Sequence, residues 1–140
     1  MTVAVLLVAL FAAPAWPQNG GQFTVVAHAA TSIESLSTTE LGRIFTRART
    51  SWRDGTLIRP VELGGTSPTR ESFYHSTLNI GMNEVVQFWI NKAMTSGVRP
   101  PKAYPSESMV LRFVARTPGA IGFVGPDAKL PDGVKQVSVK

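Results

Sequence analysis

Apolar and polar residues recur along this chain with two different periods, one typical of β-strands and the other of α-helices. Short β-branched or alternating runs predict strands over residues 23–29, 57–63, 120–124 and 134–139. Between these runs, apolar residues recur at helical spacing, and three such stretches begin just after the serines Ser37, Ser67 and Ser106. Strands interleaved with helices indicate an α/β layer structure, with a small mixed sheet flanked by helices.

The most regular helical pattern runs over residues 83–95. Val85, Val86, Trp89 and Ala93 recur there at the spacing of one helix face. We therefore expect this face to be buried, with Trp89 in the core.

The chain opens with an apolar stretch, residues 1–15, that ends in the sequence Ala-Pro-Ala. Small residues in that arrangement are typical of a signal-peptidase site, and the stretch is shorter than the roughly 20 residues that span a bilayer. No basic residue precedes it, and a buried first strand or helix is the alternative. We predict a signal peptide over 1–15, a joint over 16–21 and one domain over 22–140, located in the periplasm or secreted.

Composition excludes several classes of chemistry. The 140 residues are 44% hydrophobic, as expected of one globular domain, and contain no cysteine. His28 and His75 lie far apart, and the sequence shows no paired carboxylates or metal-ligand spacing. The prediction is therefore a non-enzyme with no catalytic residue, no metal and no cofactor.

Charge is concentrated in one segment. The chain carries a net charge of +5, and residues 43–59 contain an arginine-rich run opposed only by Asp54. Such a run favours anionic partners, including phosphate and nucleic acid, or it is a solvated face. We predict no nucleic-acid partner, because no recognition motif accompanies the arginines and the predicted export argues against one.

The sequence LGGTSPTR at 63–70 predicts an anion site at a helix start. Pro68 is suited to the first helical position, which makes Ser67 the N-cap. A helix N-terminus offers unpaired N–H groups to an oxyanion, and Ser67, Thr69 and Arg70 would add hydroxyl and guanidinium donors. Arg70 is expected to face solvent and to contribute little to stability. The alternative is that these residues only cap a helix.

A second turn could contribute to the same site. Thr31 and Ser32 follow the first predicted strand, at the end where open α/β sheets bind ligands. We expect the two strand-to-helix turns to converge at one edge of the sheet and form a pocket.

Four short patterns occur in a fixed order along the domain. They are L-x-x-IF at 41–45, T-x-W-x-DG at 50–55, S-x-TR at 67–70 and PGAIGFV at 118–124. Their succession resembles the substrate-binding proteins of phosphate ABC transporters, which have the type II periplasmic binding protein fold. The likeness is to short, single-domain members, and it implies a single lobe of that fold.

The resemblance also implies site residues. Ser67 and Thr69 match the hydroxyl residues of the family's S-G-T segment, which binds phosphate. Pro68 stands at its glycine position, and Leu63 stands where the family has an arginine. Arg70 would supply the charge instead, and Thr31 with Ser32 roughly matches the region that supplies another hydroxyl.

The function implied is an exported protein that binds a small oxyanion such as phosphate without catalysis. The partners implied are phosphate, an ABC permease or another envelope protein, and a second copy in a homodimer, because one lobe alone closes no cleft. The alternative is a single-lobe envelope interaction module with a decayed anion site, which docks through its basic loop.

Overall fold

The computed structural model describes residues 22–140, which form six strands and four helices. The strands are β1 (Thr24–His28), β2 (Ser35–Leu36), β3 (Arg59–Leu63), β4 (Lys102–Tyr104), β5 (Ala120–Val124) and β6 (Val134–Val139). The helices are α1 (Thr38–Phe45), α2 (Pro68–Leu78), α3 (Met82–Ser96) and α4 (Glu107–Arg116). The predicted signal peptide and joint lie outside the described residues.

All six strands form one mixed sheet in the order β2-β6-β1-β5-β3-β4. Strand β1 pairs antiparallel with both β5 and β6, whereas β3 runs parallel to β4 and β5. The small mixed sheet flanked by helices is confirmed. The short strands β2 and β4 were not predicted, because two or three residues are too few to show a period.

An aromatic cluster joins the sheet to two helices. Phe73 of α2 stacks on Phe123 of β5 with ring centroids 4.1 Å apart, and Phe45 of α1 meets Phe73 edge-on at 4.7 Å. All three side chains are fully buried, so they fix α1 and α2 on the same part of the sheet.

Helix α3 has a narrower buried face than the sequence predicts. Val85 and Trp89 are buried, as expected, but Val86 is 50% exposed and Ala93 is also exposed. The expectation that all four share a buried face is wrong at Val86 and Ala93, because α3 packs beside α2 at the surface instead of on the sheet. Within residues 22–140, no helix is long and apolar enough to cross a membrane.

Candidate functional site

The start of α2 lies at the edge of the sheet where the parallel strands end. Strand β3 ends at Leu63, the Gly64 N–H donates to the Tyr104 carbonyl at 2.8 Å, and α2 begins at Pro68. Because β3 and β4 are parallel, the start of α4 after β4 lies at this same edge. The N-termini of α2 and α4 therefore lie at the same edge of the sheet, where β3 and β4 end.

Ser67 occupies the predicted N-cap of α2, but its hydroxyl makes no capping hydrogen bond. Its carbonyl accepts the first helical bond from the Glu71 N–H at 3.1 Å. Ser106 of α4 behaves differently, since its hydroxyl accepts from the Met109 N–H at 3.4 Å. The expectation that the Ser67 hydroxyl caps α2 is wrong in this structure. That hydroxyl is left available to a ligand.

Arg70 belongs to a partly buried ion pair. Its Nη2 lies 2.8 Å from Oε1 of Glu62, and the two side chains are 20% and 3% exposed. The hydroxyl of Tyr74 donates a short hydrogen bond to the other oxygen of Glu62. Arg70 and Tyr74 reach the same carboxylate because they are one turn apart on α2. The expectation of a solvent-facing arginine is therefore wrong.

The environment of this triad (Glu62, Arg70 and Tyr74) shifts two titrating groups. Burial raises the pKa of the Glu62 carboxyl, and the Tyr74 hydrogen bond and the Arg70 charge oppose that rise. Burial and the neighbouring Glu62 carboxylate raise the pKa of the Tyr74 hydroxyl, so it remains a donor at neutral pH. The charge on Arg70 is thus largely committed to Glu62 and is only partly free to attract an anion.

Thr31 and Ser32 lie at the opposite end of the sheet from α2's start. Strand β1 is antiparallel to β5, with Ala27 facing Ile121, so β1 ends where β5 begins. The two residues border a pocket of about 250 Å³ beside Trp52 and Gly119. The expected convergence of the two turns is wrong, because it assumed that β1 and β3 point the same way.

Part of the arginine-rich segment packs against the rest of the domain. Arg49 packs over the ring of Trp52 at 5.5 Å and lies 3.8 Å from Glu40. Glu40 also forms a capping box with Ser37 at the start of α1. Among residues 22–140, no group of three metal-ligating side chains could hold an ion.

Glu62 is the residue that the sequence reading missed. It lies in the sequence RPVEL, where every residue after Arg59 is buried. A carboxylate within a buried strand requires a basic or hydroxyl partner. Arg70 and Tyr74 lie one helical turn apart on the next helix, and this pattern of a basic and a hydroxyl residue could have indicated partners for Glu62.

Comparison with solved structures identifies the fold. The chain is similar to an ABC-type phosphate transport receptor from Vibrio cholerae, with a TM-score of 0.65 and 20% identity over 84% of this chain and 46% of the receptor. It is also similar to a phosphate binding protein from Stenotrophomonas maltophilia, with a TM-score of 0.55 and 23% identity over 86% of this chain and 39% of that protein. No family model and no curated protein sequence matches the chain.

These likenesses confirm the fold that the sequence patterns suggested. The domain has a periplasmic-binding-protein-like fold, in which one six-stranded mixed sheet is flanked by four helices. The chain spans less than half the length of each of these structural relatives.

Proposed function

We propose that this chain is a non-catalytic binding domain that takes a small oxyanion such as phosphate at the start of α2. The observation that carries the proposal is the Ser67 hydroxyl, which occupies an N-cap and makes no capping bond. Pro68 follows it at the first helical position, so the next amides of α2 open toward solvent at the strand-end edge. Both structural relatives described above are named for phosphate transport or phosphate binding.

The donors at this site are mostly neutral. Ser67 and Thr69 supply hydroxyls, the first turn of α2 supplies amides, and Pro68 supplies no N–H. Arg70 adds a charge that Glu62 largely compensates at 2.8 Å. Hydrogen bonds to a charged ligand contribute about 1.5–3 kcal/mol each, so two or three of them support roughly millimolar binding. Thr31 and Ser32 belong to the opposite edge and are left out of this site.

Calorimetric titration of the purified protein with inorganic phosphate tests the proposal. We expect weak binding that Ser67→Ala reduces about tenfold or more, the equivalent of roughly 1.4 kcal/mol. Stability should hardly change in that variant, because no capping bond is lost.

Two matched serines serve as controls. Ser106→Ala removes a real cap at the same edge, so it should lower stability by about 1 kcal/mol and leave phosphate affinity unchanged. Ser32→Ala should alter neither quantity. A loss of phosphate affinity in Ser32→Ala, with none in Ser67→Ala, would move the site to the other edge and refute the assignment.

The second candidate is an envelope interaction module whose anion site has decayed. Two observations favour it: the charge of Arg70 is compensated, and α3 carries an exposed apolar face. This candidate would be supported if titration with phosphate gave no heat of binding while the protein still bound an envelope partner such as an ABC permease. Both candidates place the protein in the periplasm or outside the cell, as residues 1–15 predict.

A further inference from the structure

Exposed apolar side chains are concentrated on one face of α3. Within residues 22–140, the large apolar side chains left exposed are Leu57, Val86, Ile90, Met94 and Met109. Val86, Ile90 and Met94 recur every four residues, so they form one stripe about 12 Å long. We call these three side chains the α3 stripe. A contiguous exposed apolar stripe is a candidate interaction surface.

The stripe is bordered by uncharged side chains. Glu84 and Lys92 are the charged residues of α3, while Gln87 and Asn91 flank Ile90. Lys92 is directed inward, where its Nζ donates to the Thr46 carbonyl at 2.5 Å. A chain with a net charge of +5 repels its own copies at most surfaces, but this face opposes self-association very little.

Charges at the two ends of α3 are complementary to each other. Glu84 lies in the first turn of α3. Glu71 lines a cleft of about 610 Å³ together with Gly81 and Met82 at the start of the same helix. Arg99 follows the end of the helix at Gly97. All three side chains are exposed, and none takes part in an ion pair within residues 22–140.

We propose that α3 pairs antiparallel with α3 of a second copy, about a twofold axis at Ile90. Glu84 and Ser96 are each six positions from Ile90, or about 9 Å along the helix axis, and Arg99 follows shortly after the C-cap Gly97. Antiparallel pairing therefore brings Arg99 of one copy to the Glu71 and Glu84 end of the other, and the twofold repeats the contact. Val86 of one copy meets Met94 of the other.

The contact is small and produces a transient dimer. A standard interface uses about 20–30 residues on each side, many more than the α3 stripe and its flanks provide. A crossing angle of roughly 20°, as in helix bundles, keeps both ends of the helices in contact. Apolar burial supplies the affinity, and the end charges fix the antiparallel direction. This inference does not depend on oxyanion binding.

Sedimentation equilibrium of the purified protein tests the pairing. We expect a concentration-dependent monomer–dimer equilibrium whose dissociation constant rises at least about tenfold in Ile90→Glu. Leu57→Glu is the matched control, because Leu57 is 54% exposed and Ile90 is 47% exposed, but Leu57 lies outside the stripe. Equal effects in the two variants, or a monomer at all concentrations, would overturn the proposal.

Charge exchange tests the direction of the pairing. Arg99→Glu should weaken the dimer, and adding Glu84→Arg should restore it, with the gain shrinking at high salt. A parallel pair predicts no restoration, because the two exchanged ends would then lie far apart.

A thiol probe locates the axis. The chain contains no cysteine, so Ile90→Cys introduces a single thiol. We expect a short bifunctional thiol reagent to cross-link Ile90→Cys into a dimer and to leave Leu57→Cys monomeric. Cross-linking of Leu57→Cys alone would refute the interface, and so would binding of the stripe to lipid vesicles without any dimer.

Discussion

Replacing Arg70 with alanine should destabilise the domain strongly. The change removes the 2.8 Å ion pair and leaves the Glu62 carboxylate, 3% exposed, with Tyr74 as its remaining partner in the triad. Breaking a buried pair by removing one partner typically costs 3–5 kcal/mol, since a buried charge is left uncompensated. Arg70 itself is 20% exposed, so water can partly reach the vacated space. We therefore expect a loss of about 2–4 kcal/mol at pH 7.

The loss should depend on pH. Burial raises the pKa of Glu62 above its ordinary value of 4.5, and the Arg70 charge opposes that rise. The folded state then holds a proton where the unfolded state has released it, so stability falls as pH rises through the window above 4.5. Removing Arg70 raises the folded pKa of Glu62 further and extends the fall in stability to higher pH. The penalty of Arg70→Ala should therefore be smaller near pH 4 than at pH 7.

Urea unfolding at several pH values measures these quantities. Arg112→Ala is the control, because Arg112 is exposed on α4 and surface changes of this kind stay within about 0.5 kcal/mol. The double variant Glu62→Gln with Arg70→Ala should recover part of the loss at pH 7, since it removes the stranded charge. A loss below about 1 kcal/mol in Arg70→Ala, or a loss that grows toward low pH, would refute the buried-pair reasoning.

Two further substitutions test the packing. Trp89→Ala should cost about 3 kcal/mol, because Trp89 is only 9% exposed, whereas Asn91→Ala on the exposed side of α3 should be nearly neutral by urea unfolding. Gly119→Ala should cost more than Gly55→Ala by thermal denaturation. Both glycines have positive φ, but a Cβ on Gly119 would collide with the Leu57 carbonyl oxygen, whereas nothing lies near Gly55. Equal losses in either pair would contradict the packing described here.

The sequence predicted the longer elements well, and it could not predict how they are arranged. β1, β5 and β6 are apolar or alternating runs of five or six residues, so the predicted and observed ranges nearly coincide. The orientation of β1 follows from its pairing with β5, nearly a hundred positions away in the chain. No local pattern reports such a pairing, and the assumption that β1 runs parallel to β3 placed Thr31 at the wrong edge.

The candidate site likewise has a local part that the sequence predicted and a long-range part that it did not. Ser67 and Pro68 lie where turn and capping chemistry predicted them, because these preferences act within a few residues. The role of Arg70 depends on Glu62, which lies on the preceding strand and is buried by the packing of α2 over β3. From sequence alone, a charged side chain in the first turn of a helix is expected to be exposed. That expectation changes only when its partner on the neighbouring strand is known.

The triad connects the proposed anion site to the core. Ser67 and Thr69 begin the same helix that carries Arg70 and Tyr74 against Glu62, so the buried pair fixes where the hydroxyls are presented. The pair also limits the attraction of this site for an anion, because Glu62 largely compensates the Arg70 charge at 2.8 Å. Binding at this edge would then rest on hydroxyl and amide donors, whose attraction salt screens less than that of a free arginine. The proposed phosphate binding should therefore be weak, with a shallow salt dependence.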